Sequence, residues 1–228
     1  MHIRLAIHPI LLLFILLSTD LFNFSHASDF VKEHRWKEQV ADYVMNGESV
    51  FLNTGTYEFL SIYMDAYEQP AKGSIIILHS RGLHPNWPVL IYPLRTTLPE
   101  KGWNTLTIQL PVLNSEATFY NYLKILSEAH PRIDAAIHFL KQKGEDNIVL
   151  LAHGCGVHMA FDWLHQHQGA GINAYIGIGM SSVDRGQPML KPFALEDIKI
   201  PVLDIYGEYD YYSVQVNGPR RLARIKQA

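Results

Sequence analysis

The stretch Asn147 to Ala160, NIVLLAHGCGVHMA, constrains the fold more than any other part of the chain: a short apolar run enters a glycine-flanked turn and leaves it as a helix. Asn147 to Ala152 reads as a buried parallel strand, and from Val157 onward apolar residues recur at helical spacing. Between them, AHGCG has the outline of a nucleophile elbow, the sharp strand-to-helix turn that holds the central side chain of G-x-S-x-G above a sheet. With Ala152 and Gly156 on the two small outer positions, His153 precedes the apex and the apex itself is Gly154, which has no side chain to attack with. The geometry of an elbow is expected here without its chemistry.

A chain of 228 residues with no low-complexity tract, repeat or second composition is read as one globular α/β domain. Its formal net charge of -3 gives no basic footprint of the kind that binding a phosphate backbone needs, so nucleic acid is not an expected partner. The local cluster Arg220, Arg221, Arg224 and Lys226 is read as a solvated helix face. At the other end, one arginine, an apolar core from Ile10 to Leu17 and the small pair Ser25 and Ala27 make residues 1–27 a secretory signal peptide with cleavage after Ala27. The alternative is an uncleaved membrane anchor, although Asp20 and Asn23 leave the apolar run short of the roughly 20 residues a spanning helix needs. Residues 28–228 are then the folded domain, and in a Gram-negative bacterium its destination is the periplasm. Cys155 is the single cysteine, so no intramolecular disulfide supports the fold.

Along the chain, Phe30 to Val44 is a short helix and Glu58 to Tyr67 alternates as a half-buried antiparallel strand. Ser74 to Leu78 is a continuous β-branched run that empties into the loop His79, Ser80, Arg81, Gly82. In an α/β sheet that loop opens at the carboxyl edge, where ligands bind. Its N–H groups suit an oxyanion hole, and an ordinary surface turn is the other reading. Pro88 to Leu98 is a helix, Asn104 to Leu110 a buried strand, and Tyr122 to Lys143 a long helix that Pro131 kinks. After the elbow helix come a strand at Ile172 to Met180, a loop with Ser181, Ser182, Asp184 and Arg185, and a strand at Pro201 to Tyr206 running into Gly207 to Asp210. Pro219 is read as the first residue of a last helix. Strands alternating with helices give a mainly parallel sheet covered on both faces.

This order of elements, with the His-x-x-Gly loop, the elbow at AHGCG and IPVLDIYGEYD, resembles an α/β-hydrolase over nearly the whole chain after residue 27. More narrowly, LHSRGLHPNWP, PLRTTLPEKGWNTLTIQLP and the glycine elbow resemble a bacterial envelope family of α/β-hydrolase-like proteins, domain of unknown function 3530. The resemblance implies a three-layer α/β-hydrolase-like sandwich that lacks the last strand. It also implies where a serine triad would stand. The nucleophile falls on Gly154, the acid on Asp210, and the histidine belongs after a further helix and strand, whereas no histidine follows His167. A triad without nucleophile and base keeps only what binding and an oxyanion hole supply.

Substitutes for the missing groups are weak. Cys155 is the candidate substitute nucleophile, one residue past the apex where the family supplies a backbone N–H; His153 and His158 are near it in sequence, but a thiol beside a buried strand end reads as packing. His153, His158, His165 and His167 show no metal spacing, so no metal or cofactor is expected. Ser80, Ser181 and Ser182 read as turn residues. Asp210 either caps the following segment or binds a ligand's hydroxyl groups or cation. Trp87, Phe119, Tyr120, Tyr122, Tyr209, Tyr211 and Tyr212 either line a cleft or belong to the core. The resulting expectation is an exported, hydrolase-like ligand-binding or accessory protein of the envelope, with a small-molecule ligand or an envelope protein as its partner. A true esterase with an unorthodox nucleophile or a truncated C-terminus, and a protein-binding scaffold, are the alternatives.

Overall fold

Apolar β-branched runs bounded by glycine and polar turns decide where the strands form. The computed structural model describes residues 28–184, 186–187 and 194–226, so the expected signal peptide and Arg185 lie outside the described residues. Asp29 caps the first helix, α1 (Phe30–Ala41), by accepting the Lys32 N–H. Next come β1 (Glu48–Asn53), β2 (Glu58–Met64), β3 (Ser74–Leu78), α2 (Ile91–Thr97) and β4 (Asn104–Ile108). A single turn, α3 (Phe119–Tyr122), precedes α4 (His130–Gln142), β5 (Ile148–His153) and α5 (Cys155–His167). The chain continues through β6 (Ala174–Ile178) and β7 (Val202–Ile205) into α6 (Tyr212–Ile225).

The seven strands form one sheet in the order β1-β2-β4-β3-β5-β6-β7, antiparallel at β1/β2 and β2/β4 and parallel from β4 to β7. Successive side chains of β3 and β5 serve opposite faces. Ile76, Leu78, Leu150 and Ala152 join Ile133, Ala136 and Leu140 of α4 and Val157, Ala160 and Leu164 of α5 in one core. Ile75, Ile77, Val149 and Leu151 pack with Ile91 and Leu94 of α2 in the other. From β3 the chain moves outward to β4, then returns to place β5 on the opposite side of β3. Strand order therefore reverses between β3 and β5, and crevices at such switch points bind ligands. The loops after these two strands are those of Ser80 and Gly154.

Several elements differ from the sequence expectation. The strand from Glu58 is buried on both faces rather than half-buried, because Leu60 and Ile62 pack under Val40 and Trp36 of α1 while Phe59 and Tyr63 enter the main core. Its partner β1 has no sequence signal, since ESVFLN carries too few apolar residues to mark a strand. The helix expected from Tyr122 to Lys143 is three pieces: α3, a 3-10 turn at Leu126–Ala129 and α4. Pro131 does not kink a helix but lies in the first turn of α4, where its missing N–H costs nothing. Pro219, expected to begin a helix, lies inside α6. Docking against β7 carries the helix through it: Gly218 lies against Tyr206, and Arg221 pairs with Asp204 at 2.8 Å. Arg221 is accordingly 3 % exposed and no part of a solvated face.

Candidate functional site

At Gly154 the chain turns sharply from β5 into α5, and the space a side chain would take there is filled from another loop. Gly154 has φ 54° and ψ -114°, a conformation costly to any residue with a Cβ, between the end of β5 and the first residue of α5. A Cβ added there would stand 2.3 Å from Ser80 Oγ. Ser80, the second residue after β3, thus places its hydroxyl where a nucleophile's side chain would begin. Its Oγ accepts the Cys155 N–H at 3.0 Å, the backbone donor that an elbow would offer to an oxyanion. Gly156 allows the approach, since a Cβ on it would lie 2.5 Å from the His79 carbonyl oxygen.

The groups around this contact are mostly fixed in structural roles. His79 is buried; its Nε2 accepts the Leu110 N–H at 2.9 Å, so Nδ1 carries the proton and donates it to the Ser80 carbonyl at 2.8 Å. Burial lowers its pKa to about 3, and the imidazole is neutral. The Cys155 thiol is buried and pushed well above its usual range by desolvation, with Arg81 acting weakly the other way. It is a packing residue without thiolate character. His153 has its buried Nδ1 without a hydrogen-bond partner. Burial lowers its pKa and the negative charge of Asp210 partly opposes this, which puts the two residues within electrostatic reach. Asp210 accepts the N–H of the next residue, Tyr211, at 2.7 Å; it stands just before α6, whose N-cap is Tyr211 and makes no side-chain capping bond.

Arg81 binds its surroundings together. Its guanidinium donates to the Ala117 carbonyl at 2.8 Å and to Asp184 at 2.9 Å, and stacks 4.5 Å from the Phe119 ring centre. Asp184 in turn accepts the Phe119 N–H. The Gly82 and Leu113 N–H groups both donate to Tyr122 Oη. The loop His79–Gly82 is therefore held by internal partners on both sides of its glycine. Phe119 and Tyr122 are core residues, while Tyr209 and Tyr212 are exposed. His158 is buried, its Nε2 donating to the Ser182 carbonyl at 2.8 Å, and His165 lies exposed on the same helix. Among the described residues no three His, Cys, Asp or Glu side chains are placed to hold a metal ion. Ser80 at the elbow and the pairing of Arg81 with Asp184 were beyond the sequence, because each joins loops far apart in the chain. The only local signal was the missing side chain at 154.

The family model described as Protein of unknown function (DUF3530) matches residues 31–123 and 120–222. The chain belongs to this family. A search of curated proteins found no match for this DUF3530 member. Among solved structures it is similar to the dienelactone hydrolase of Anabaena variabilis, with a TM-score of 0.59 and 20% identity over 78% of this chain and 80% of that one. It is similar to a serine hydrolase without lid from Xanthomonas campestris, with a TM-score of 0.57 and 13% identity over 81% and 82% of the two chains. Est1E of Butyrivibrio proteoclasticus gives a TM-score of 0.54 and 16% identity over 78% and 84%. At these identities the likeness establishes the α/β-hydrolase fold of this family member and nothing about its chemistry.

Proposed function

We propose that this protein is an exported ligand-binding or accessory protein of the cell envelope, built on a hydrolase scaffold whose serine triad is incomplete. One observation carries the reading: the elbow apex is Gly154, and the space above it holds Ser80 Oγ, hydrogen-bonded to the Cys155 N–H. A substrate carbonyl would have to displace that hydroxyl to reach the amide that stabilises an oxyanion. The export part rests on the N-terminal sequence, and no helix among the described residues is long and apolar enough to cross a membrane.

A second reading takes the same atom as a relocated nucleophile, because Ser80 offers a hydroxyl at the elbow, and His153, near Asp210, has an unpartnered ring nitrogen. Initial rates with short p-nitrophenyl acyl esters separate the two. The binding reading expects no turnover above the rate with Ser80→Ala. Turnover that disappears in Ser80→Ala and in His153→Ala but survives in Cys155→Ala overturns it in favour of an esterase.

A further inference from the structure

The sheet ends at β7 in an edge that pairs with no strand among the described residues, since β7 is last in the strand order and bonded to β6 alone. The carbonyls of Pro201 and Ile205 accept the N–H groups of Tyr175 and Gly179, in and just after β6, so these alternate residues turn their backbone groups inward. By the same alternation Val202, Asp204 and Tyr206 turn their N–H and C=O groups outward. Such a row of backbone groups is a template for another strand, which proteins commonly blunt with lysine, proline or a bulge. β7 is VLDI and pairs with β6 in unbroken register, so it carries none of the three.

One face of this edge is apolar and open. Leu203 lies beside Ile176 and Ile205 beside Ile178, and residues paired in this way share a face. On that side α2 packs over β3 and β5, and Leu203 and Ile205 are left 52% and 43% exposed. α6 covers the other side and runs back along the strand, with Gly218 against Tyr206 and Arg221 against Asp204. Its basic end, Arg220, Arg224 and Lys226, therefore lies with Lys199 at the amino end of β7, where these cations outnumber Glu196 and Asp197. The segment after β7 carries Glu208 and Asp210 and no lysine or arginine before Arg220.

We infer that the partner of this edge is a second copy of this chain, joined antiparallel through β7 in a symmetric dimer whose two sheets become one. Charge selects this occupant: an antiparallel copy sets each basic end against the other's acidic end, twice, about one two-fold axis. In the register centred on Asp204, the outward backbone groups bond each other and Leu203 of each copy stands opposite Ile205 of the other. Asp204 there meets its own image, and each is already paired with Arg221. The dimer goes beyond the function proposed above and does not depend on it.

Sedimentation velocity over a concentration series, with amide hydrogen exchange on the same samples, tests it. The protein is expected to pass from monomer to dimer with a Kd of about 10 μM, since the pairing strand is short. The outward amides of Asp204 and Tyr206 should exchange more slowly as the dimer forms. Leu203→Lys and Ile205→Lys, both at exposed positions, should each weaken the dimer by about tenfold or more while leaving the urea midpoint of the monomer unchanged. Glu208→Lys should weaken it about fivefold, the worth of two exposed ion pairs, and adding Lys199→Glu should recover part of the loss. A protein still monomeric at about 200 μM overturns the inference and leaves the edge to a strand of another protein. A dimer that survives both apolar substitutions, or that leaves the Asp204 and Tyr206 amides unprotected, lies on another surface and overturns it as well. One indifferent to Glu208→Lys is not the antiparallel pair, and the arrangement falls with it.

Discussion

Gly154 carries two independent reasons to be glycine, and they can be measured apart. Its backbone lies at positive φ, and its missing Cβ is the space that Ser80 Oγ occupies. Gly154→Ala is expected to destabilise the fold by about 1 to 3 kcal/mol from the backbone alone, with the overlap on Ser80 added. In a Ser80→Gly background the overlap is gone, so the same substitution should cost about 1 kcal/mol less, a coupling that a double-mutant cycle in urea resolves. Purely additive costs would show that the hydroxyl does not occupy the apex. At this scale the sequence was half legible. The absent nucleophile could be read directly from AHGCG. Its replacement could not, because Ser80 and Cys155 are 75 positions apart and meet only when β3 and β5 pair side by side.

At the scale of elements, the sequence showed strands that are apolar throughout and helices with a clear stripe, and failed where tertiary contacts override local preference. The run from Ser74 to Leu78 admits one reading, whereas Tyr122 to Lys143 has a helical stripe that the 3-10 turn at Leu126–Ala129 interrupts. The docking of α1 was equally invisible. Glu33 in that helix pairs with Arg132 of α4 at 2.7 Å, both are buried, and Glu33 also accepts the Val112 N–H. Arg132 further donates to Tyr57 Oη and the Gln109 carbonyl. Burial raises the Glu33 pKa, with Arg132 pulling the other way, and the short, multiply bonded contact argues for an ionised pair. Removing one partner strands the other charge. Glu33→Ala should therefore cost about 3 to 5 kcal/mol, read as a drop in urea midpoint, whereas Glu38→Ala on the same helix should fall within about 0.5 kcal/mol. Equal effects from the two would mean that α1 is not anchored through this pair.

Across the whole molecule, histidines held neutral by burial make stability depend on pH; His79 and His158 are the most deeply buried of them, and His84 and His153 act in the same direction. His79 in the loop after β3 is held neutral with a pKa of about 3, and His158 in α5 with one of about 4, desolvation being the main cause in both. In the unfolded chain each returns to about 6.5. Both folded values are depressed, so the unfolded state binds protons first as pH falls. Their contribution is complete above the unfolded value and is lost progressively from about pH 6.5 down towards the folded values. Between pH 7.5 and 5.5 the two together should remove about 2.7 kcal/mol. Glu33, whose folded pKa is raised, acts in the opposite sense, since protonating it is easier in the folded state. Its range extends upward from the ordinary carboxylate value and so overlaps the histidine window, offsetting part of the loss there. Both histidines serve the carboxyl edge: His79 sits beside Ser80, and His158 donates to the Ser182 carbonyl in the loop that also carries Asp184, the partner of Arg81. The acid-labile part of the molecule is thus the part that holds the elbow. Urea midpoints at the two pH values should differ in the stated direction, and His158→Gln should remove only its own share, about 1.4 kcal/mol, leaving the contributions of His79, His84 and His153. A midpoint that rises on acidification would show that these histidines are not buried as neutral groups.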